Sequence, residues 1–134
     1  MNIQCHFDGS CKPRNPGPVL GYGATVDIDG KRTWSFADSF RFKQNQSCNV
    51  AEYIALRELL IYLAERRFFE SPILVKGDSK LVIEQMAGRY KIRAGMYRET
   101  AWECLKLKKK FKNITFKWIP REHNSEADSL STCA

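Results

Sequence analysis

The sequence predicts a mixed α/β fold, one sheet with helices packed against it, and three observations carry that prediction. The first third of the chain alternates apolar with polar residues in segments joined by a hairpin signal. The middle holds a long run of helical period followed by a short continuous apolar stretch. A second helical run, another alternating stretch and a C-terminal segment with a helix-start pattern complete the order.

Residues 2–8 place Ile3, Cys5 and Phe7 on one face and Asn2, Gln4, His6 and Asp8 on the other, as a half-buried strand does. Gly9 to Gly21 holds three Pro and three Gly, which predicts a loop. A second strand is expected over about 22–28. Asp29-Gly30 then supplies a two-residue turn, because a type I′ turn needs positive φ at both positions. The third strand, 32–42, lines up Trp34, Phe36, Phe40 and Phe42, and the three strands form an antiparallel meander.

From 49 to 67, Val50, Ile54, Leu59, Leu60, Ile61 and Leu63 recur with helical spacing among strong helix formers. Ser71-Pro72 breaks that helix, and Ile73-Leu74-Val75 predicts a central strand covered on both faces, ending at Gly77. Ser79 can cap a short helix reaching Met86. Another helix is expected over 96–111 with Trp102, Leu105 and Leu107 turned inward. Ile114, Phe116 and Trp118 alternate as a last strand, Pro120 ends it, and Ser125 opens a C-terminal helix. A strand reached through a helical crossover pairs parallel to an earlier one with a right-handed connection, so the strand at 73–77 belongs beside the first.

With 134 residues, 43% of them hydrophobic, the chain is sized for a single domain spanning 1–134. Lys and Arg outnumber Asp and Glu by 22 to 15, a net charge of +7 that points to a negatively charged partner such as nucleic acid. Six Lys (106, 108, 109, 110, 112, 117) fall between Lys106 and Lys117 without an acid among them, so the remainder carries only 7 − 6 = +1. The N-terminus has neither the basic nor the apolar region of a secretory signal, and the apolar run Leu59 to Ala64 is too short to span a bilayer. Five Cys without a CxxC pair argue against a disulfide framework or a zinc ribbon and favour a reducing cytoplasm.

Four carboxylates stand at element ends: Asp8 after the first strand, Glu52 at the start of the long helix, Asp78 after the strand at 73–77, and Asp128 at the start of the last helix. Each has a local structural explanation. Asp8-Gly9 reads as a turn pair, Asn49-Val50-Ala51-Glu52 and Ser125-Glu126-Ala127-Asp128 as capping boxes, and Asp78 as a helper in capping the helix at Ser79. Together they carry more. If the first and fourth strands are adjacent and parallel, Asp8 and Asp78 lie about 5 Å apart at one end of the sheet. Sites gather at such carboxyl ends of strands, and Glu52 and Asp128 can point to the same place. Four clustered carboxylates need a cation, and all-oxygen ligation suits Mg²⁺ or Mn²⁺. Two such ions roughly 4 Å apart can activate a water and stabilise a leaving oxygen in phosphodiester hydrolysis.

The motifs Phe7-Asp8-Gly9-Ser10, Asn15-Pro16-Gly17, Gly21-Tyr22-Gly23-Ala24, Asn49-Val50-Ala51-Glu52, Gly77-Asp78-Ser79 and Glu126-Ala127-Asp128-Ser129-Leu130, in this order and spacing, resemble ribonuclease H of the type 1 class over essentially the whole chain. The resemblance implies a ribonuclease H-like fold: a five-stranded mixed sheet, its first three strands an antiparallel meander and its last two parallel to the first, flanked by helices. It also implies endonucleolytic hydrolysis of the RNA strand of RNA/DNA hybrids with two divalent ions held by Asp8, Glu52, Asp78 and Asp128. By matched position, Asn15 and Asn49 would meet the hybrid's minor groove and ribose hydroxyls, with Gly9 and Ser10 close by. An amide can donate to or accept from the 2′-OH that marks RNA. Ser47 matches a hydroxyl on a DNA-strand phosphate. The family also suggests a monomer.

Three departures matter. Many members carry a His on a longer loop before the last acid, whereas His123 lies five residues before Asp128, so its role is not carried over, and Glu122 is an alternative proton carrier. Lys80 stands where members commonly have an uncharged polar residue and would add a phosphate contact. The link Ala87 to Gly95 is too short for the basic protrusion of some members, leaving Arg89, Lys91 and Arg93 as candidate contacts to the DNA strand and Tyr90 for stacking. A non-catalytic nucleic-acid binding module and a nuclease acting on DNA are the competing readings of the same fold.

Overall fold

The computed structural model describes residues 1–133. Five strands, β1 (Ile3–Lys12), β2 (Gly17–Ile28), β3 (Lys31–Gln46), β4 (Ile73–Gly77) and β5 (Ile114–Trp118), form one sheet in the order β3-β2-β1-β4-β5. β1 pairs antiparallel with β2, and β2 with β3; β4 lies parallel to β1, and β5 parallel to β4. The helices are α1 (Cys48–Glu65), α2 (Lys80–Met86), α3 (Arg98–Lys108) and α4 (Ser125–Cys133). This is the five-stranded mixed sheet flanked by helices that the sequence predicts.

The apolar face of the sheet carries Ile3, Cys5, Phe7, Ala24, Val26, Ile73 and Val75, all buried in a core beneath α1 and α2, with α3 packed against α1. α1 contributes Tyr53, Leu56, Leu59, Leu60 and Leu63 to that core. On the opposite face α4 packs across β1, β2 and β3. It leaves β4 open on that side, so Leu74 and Lys76 are half-buried, not covered as expected, and Lys76 donates to Gln4 Oε1 at 3.0 Å.

The hairpin turn has its expected positive φ values, 51° at Asp29 and 82° at Gly30. The segment 9–21 departs from expectation. It is strand for most of its length, with Gly9 opposite Tyr22 and Ser10 opposite Gly21, and only residues 13–16 turn. Its glycines serve close approach: a Cβ at Gly21 would sit 1.9 Å from the Ser131 carbonyl oxygen of α4.

Helix starts differ too. α1 begins one residue before Asn49, so Asn49 is not its cap; Ser47 holds that position with no side-chain bond, and Asn15 Oδ1 accepts from the Cys48 N–H at 3.0 Å instead. In α4, Ser125 is already helical, and the Asp128 N–H donates to the Asn124 carbonyl, so the second expected capping box is absent. Ser79 does cap α2, accepting from Val82 N–H at 3.4 Å. α3 turns Ala101 and Cys104 inward, where small side chains let it lie close to α1, while Trp102 points out under Arg98, 4.4 Å from its ring centroid.

Candidate active site

Parallel pairing of β1 and β4 sets the site. Phe7 lies opposite Gly77, so Asp8 and Asp78 emerge side by side one residue later. Gly9 then brings in the third carboxylate. A Cβ there would fall 2.4 Å from the Ala51 carbonyl carbon and the Glu52 nitrogen, so only glycine lets the second turn of α1 rest on β1 and aim Glu52 at Asp8. Ligand oxygens of Asp8, Glu52 and Asp78 all lie within 4.8 Å of one another.

Two buried groups hold this cluster. Ser131 Oγ donates to Asp8 Oδ2 at 2.7 Å, and Asn124 Nδ2 donates to the Phe7 carbonyl at 3.0 Å and to Asp78 Oδ2 at 3.2 Å. Burial pushes the Asp8 carboxyl up to about 7, the Ser131 bond opposes that, and the charges of Asp78 and Asp128 add to it. Burial, then the charges of Asp8 and Asp78, hold Glu52 well above the usual carboxylate range. Glu52 Oε2 is buried with no hydrogen-bond partner. Asp128 lies outside that 4.8 Å group but beside Asp8 at the rim of the same cleft, where Arg121 Nη2 approaches its Oδ1 at 3.4 Å.

The cleft is about 340 Å³, and Gly9, Ser10, Cys11, Cys48 and Thr132 complete its wall. A larger groove of about 500 Å³ between β3 and α4, lined by Ala37, Leu130 and Cys133 among others, holds only one carboxylate, Glu126. Chemistry, not volume, selects the smaller one.

The structure gathers the substrate-binding candidates unevenly. Gly9 and Ser10 line the cleft. Asn15 is tied to Cys48 and so joins Ser47 and Asn49 in one patch at the start of α1. Lys80 is exposed at the first residue of α2, two positions from Asp78. His123 and Glu122 are exposed in a 3-10 turn, and His123 lines a small pocket with His6 and Thr25 instead of the carboxylate cleft. Arg89 is paired with Glu84 at 2.6 Å, and Arg89, Tyr90, Lys91 and Arg93 border a separate groove beside α2. Among these, Gln85 is the organiser: it receives Tyr53 OH at 2.6 Å and donates to the Lys91 carbonyl at 3.0 Å.

The sequence reading missed Ser131, Asn124, Arg121 and the cysteines of the cleft wall. Ser131 has a signal, one helical turn after Asp128 and therefore on its face. Asn124 has none, because its two partners, Phe7 and Asp78, come from distant strands.

A family model described as reverse transcriptase-like matches residues 6–134. The crystal structure of RNase H1 from Halobacterium salinarum matches with a TM-score of 0.84 at 27% identity, covering 98% of this chain and 96% of that one. The chain belongs to the type 1 ribonuclease H family. Another ribonuclease H of this type, LC11-RNase H1 in complex with an RNA/DNA hybrid, matches with a TM-score of 0.87 at 29% identity, over 98% of this chain and 95% of that one. The bifunctional protein Rv2228c of Mycobacterium tuberculosis is 34% identical over 134 residues, 100% of this chain and 35% of its own length. The chain thus spans about a third of that curated relative.

Proposed function

We propose that this chain is a metal-dependent endonuclease that hydrolyses the RNA strand of RNA/DNA hybrids, residues 1–134 forming one catalytic domain. The observation that carries the reading is the convergence of Asp8, Glu52 and Asp78 within 4.8 Å. Three carboxylates at that spacing repel one another unless a cation joins them, and the partnerless Glu52 Oε2 supplies a donor atom with no other use. The donor set is all oxygen, which fits Mg²⁺ or Mn²⁺. Asp8, Glu52, Asp78 and, from the rim, Asp128 would hold two such ions. When bound, these ions supply Lewis-acid activation of a water and stabilisation of the leaving 3′ oxygen.

The chain's own groups do the rest. Ser131 and Asn124 fix the carboxylate rotamers of Asp8 and Asp78. The amides of Asn15 and Asn49, with the backbone of Gly9 and Ser10, read 2′-hydroxyls at the start of α1. Ser47 and Lys80 take phosphates, and Lys91 with Arg89 extends the basic track. Hybrid affinity then arises mainly from phosphate neutralisation and falls with salt. The hybrid complex of LC11-RNase H1 supports this substrate class. We place the protein in the cytoplasm as a monomer.

The test is cleavage of labelled hybrid, double-stranded RNA and double-stranded DNA with Mg²⁺, Mn²⁺ or chelator, alongside Asp78→Asn. Hybrid RNA is expected to be cut only with a divalent ion, and Asp78→Asn to lose at least about a hundredfold in rate. Intact hybrid in every condition leaves a binding module; cleavage of duplex DNA instead makes it a DNA nuclease.

A further inference from the structure

The wall of the cleft holds a feature the hydrolysis does not use. Gly9 on β1 lies against α1 at Ala51 and Glu52, so close that a Cβ on it would fall 2.4 Å from their backbone. Cys11 is two residues further along the same strand face, and Cys48 is one helical turn back from Ala51, so strand and helix bring the two residues together. Cys11 Sγ reaches the carbonyl of Gln46, two residues before Cys48, at 3.5 Å, which places it at the start of the same helix. Both are half-buried and both line the carboxylate cleft, so a small reagent entering it meets both thiols. The other cysteines differ: Cys5 and Cys104 are fully buried, and Cys133 is exposed at the end of α4.

We propose that Cys11 and Cys48 form a reversible disulfide with a low-molecular-weight disulfide as oxidant, and that this bond closes down the mouth of the carboxylate cleft. The Cys48 thiolate attacks one sulfur of the oxidant, whose S–S bond breaks, and the released thiolate takes up the proton Cys48 has lost. Cys11 then gives up its proton and attacks the Cys48 sulfur of the mixed disulfide. The second small thiol leaves carrying that proton. Two protein thiols are oxidised by two electrons, and one small disulfide is reduced to two thiols. Burial and then the neighbouring Cys48 push the Cys11 thiol up to about 12, so little of it is thiolate and it is left to the second, intramolecular step, where proximity offsets its low ionisation.

The bond brings the two sulfurs to about 2 Å, which draws the first turn of α1 onto β1. In the reduced chain Cys11 Sγ donates to the Gln46 carbonyl at 3.5 Å, and the Cys48 N–H is held by Asn15. Both bonds lie at the start of the helix that carries Asn49 and Glu52, so the shift reaches the ligand cluster. Misplacement of about 1 Å in such a site costs on the order of a hundredfold in rate. Closing the loop between residues 11 and 48 also restricts the unfolded chain, so the melting midpoint rises.

The chain carrying Cys133→Ser is incubated, folded, with oxidised glutathione, then alkylated, digested and analysed by mass spectrometry. The expected product is a peptide pair joining Cys11 to Cys48, lighter by two hydrogens, with a melting midpoint several degrees higher, and dithiothreitol restores both. Cys11→Ser and Cys48→Ser in the same background show neither change. Glutathione adducts without a cross-link, pairing through Cys5 or Cys104, or no reaction overturns the proposal. The effect on cleavage rests on the nuclease reading, whereas the cross-link is read by mass alone. A cross-linked chain that cuts hybrid as fast as the reduced one overturns the closing of the cleft.

Discussion

Asp8 carries two burdens, a near-complete loss of solvent and the charges of its neighbours, and they predict its behaviour without metal. Its folded carboxyl titrates at about 7, above the unfolded value, so its contribution to stability is full at low pH and is lost as pH rises through 7. Asp8→Asn removes that loss while keeping an oxygen for Ser131. At pH 8 in chelator the variant is expected to be more stable by roughly 1–3 kcal/mol, a higher melting midpoint by calorimetry, although it no longer cleaves. A lower midpoint would mean that the cluster is not electrostatically strained. Ser131→Ala tests the support of the same carboxylate. Removing the 2.7 Å bond should weaken Mn²⁺ binding, measured by titration calorimetry, by about tenfold. Wild-type affinity in that variant would make Ser131 a packing residue only.

Elements with a strong local period are legible in the sequence: the meander through Asp29-Gly30, the long helix, and the parallel strand whose end carries Asp78. Glu52 and Asp78 are legible for the same reason, since each sits near a computable element end, whereas Asp8 is picked out although β1 runs on past it to Lys12. What is hidden is contact between distant segments. Gly9 and Gly21 read as turn residues, yet both lie in paired strands and exist to admit another backbone. Trp102 reads as core because it is large, but the α1 interface selects the smaller Ala101 and Cys104. These contacts are testable at the level of the element. Gly21→Ala puts a Cβ 1.9 Å from a fixed carbonyl of α4 and should lift that helix at a cost of about 1–3 kcal/mol in urea unfolding. Asp128 and Ser131 ride on α4, so cleavage should fall with it. Gly30→Ala meets nothing within 4 Å and strains only its own φ of +82°, so it should lose stability by about 1–2 kcal/mol but keep its cleavage rate in folded protein.

Across the whole molecule, the net charge of +7 divides by position along the sheet. The carboxylate cleft lies at the carboxyl end of β4, beside the middle of β1 where its pairing with β4 stops. The lysine-rich segment after α3 lies at the other end, where Lys112 N–H bonds the Phe69 carbonyl and Asn113 accepts from Ile73, the first residue of β4. Five strand residues separate the two ends, about 16 Å, which is twice the screening length at physiological salt. The cluster is also less free than its composition suggests. Lys108 Nζ bonds the Met86 carbonyl and lies over the Phe116 ring at 5.7 Å, and Lys112 pairs with Glu70 at 3.0 Å. Lys108 is therefore part of the packing between α3, α2 and β5, and its substitution would mix stability with binding. Replacing Lys109, Lys110 and Lys112 with Gln avoids that. This triple variant should cleave hybrid with a KM within about twofold of the parent, because screened charges at that distance add little to phosphate attraction. Lys80→Gln, two residues from Asp78, should raise KM severalfold at low salt and less at high salt. A comparable rise in both variants would mean that the hybrid runs along the open face of β4 and β5, past Lys76 and its register partner Lys117, as far as the remote cluster.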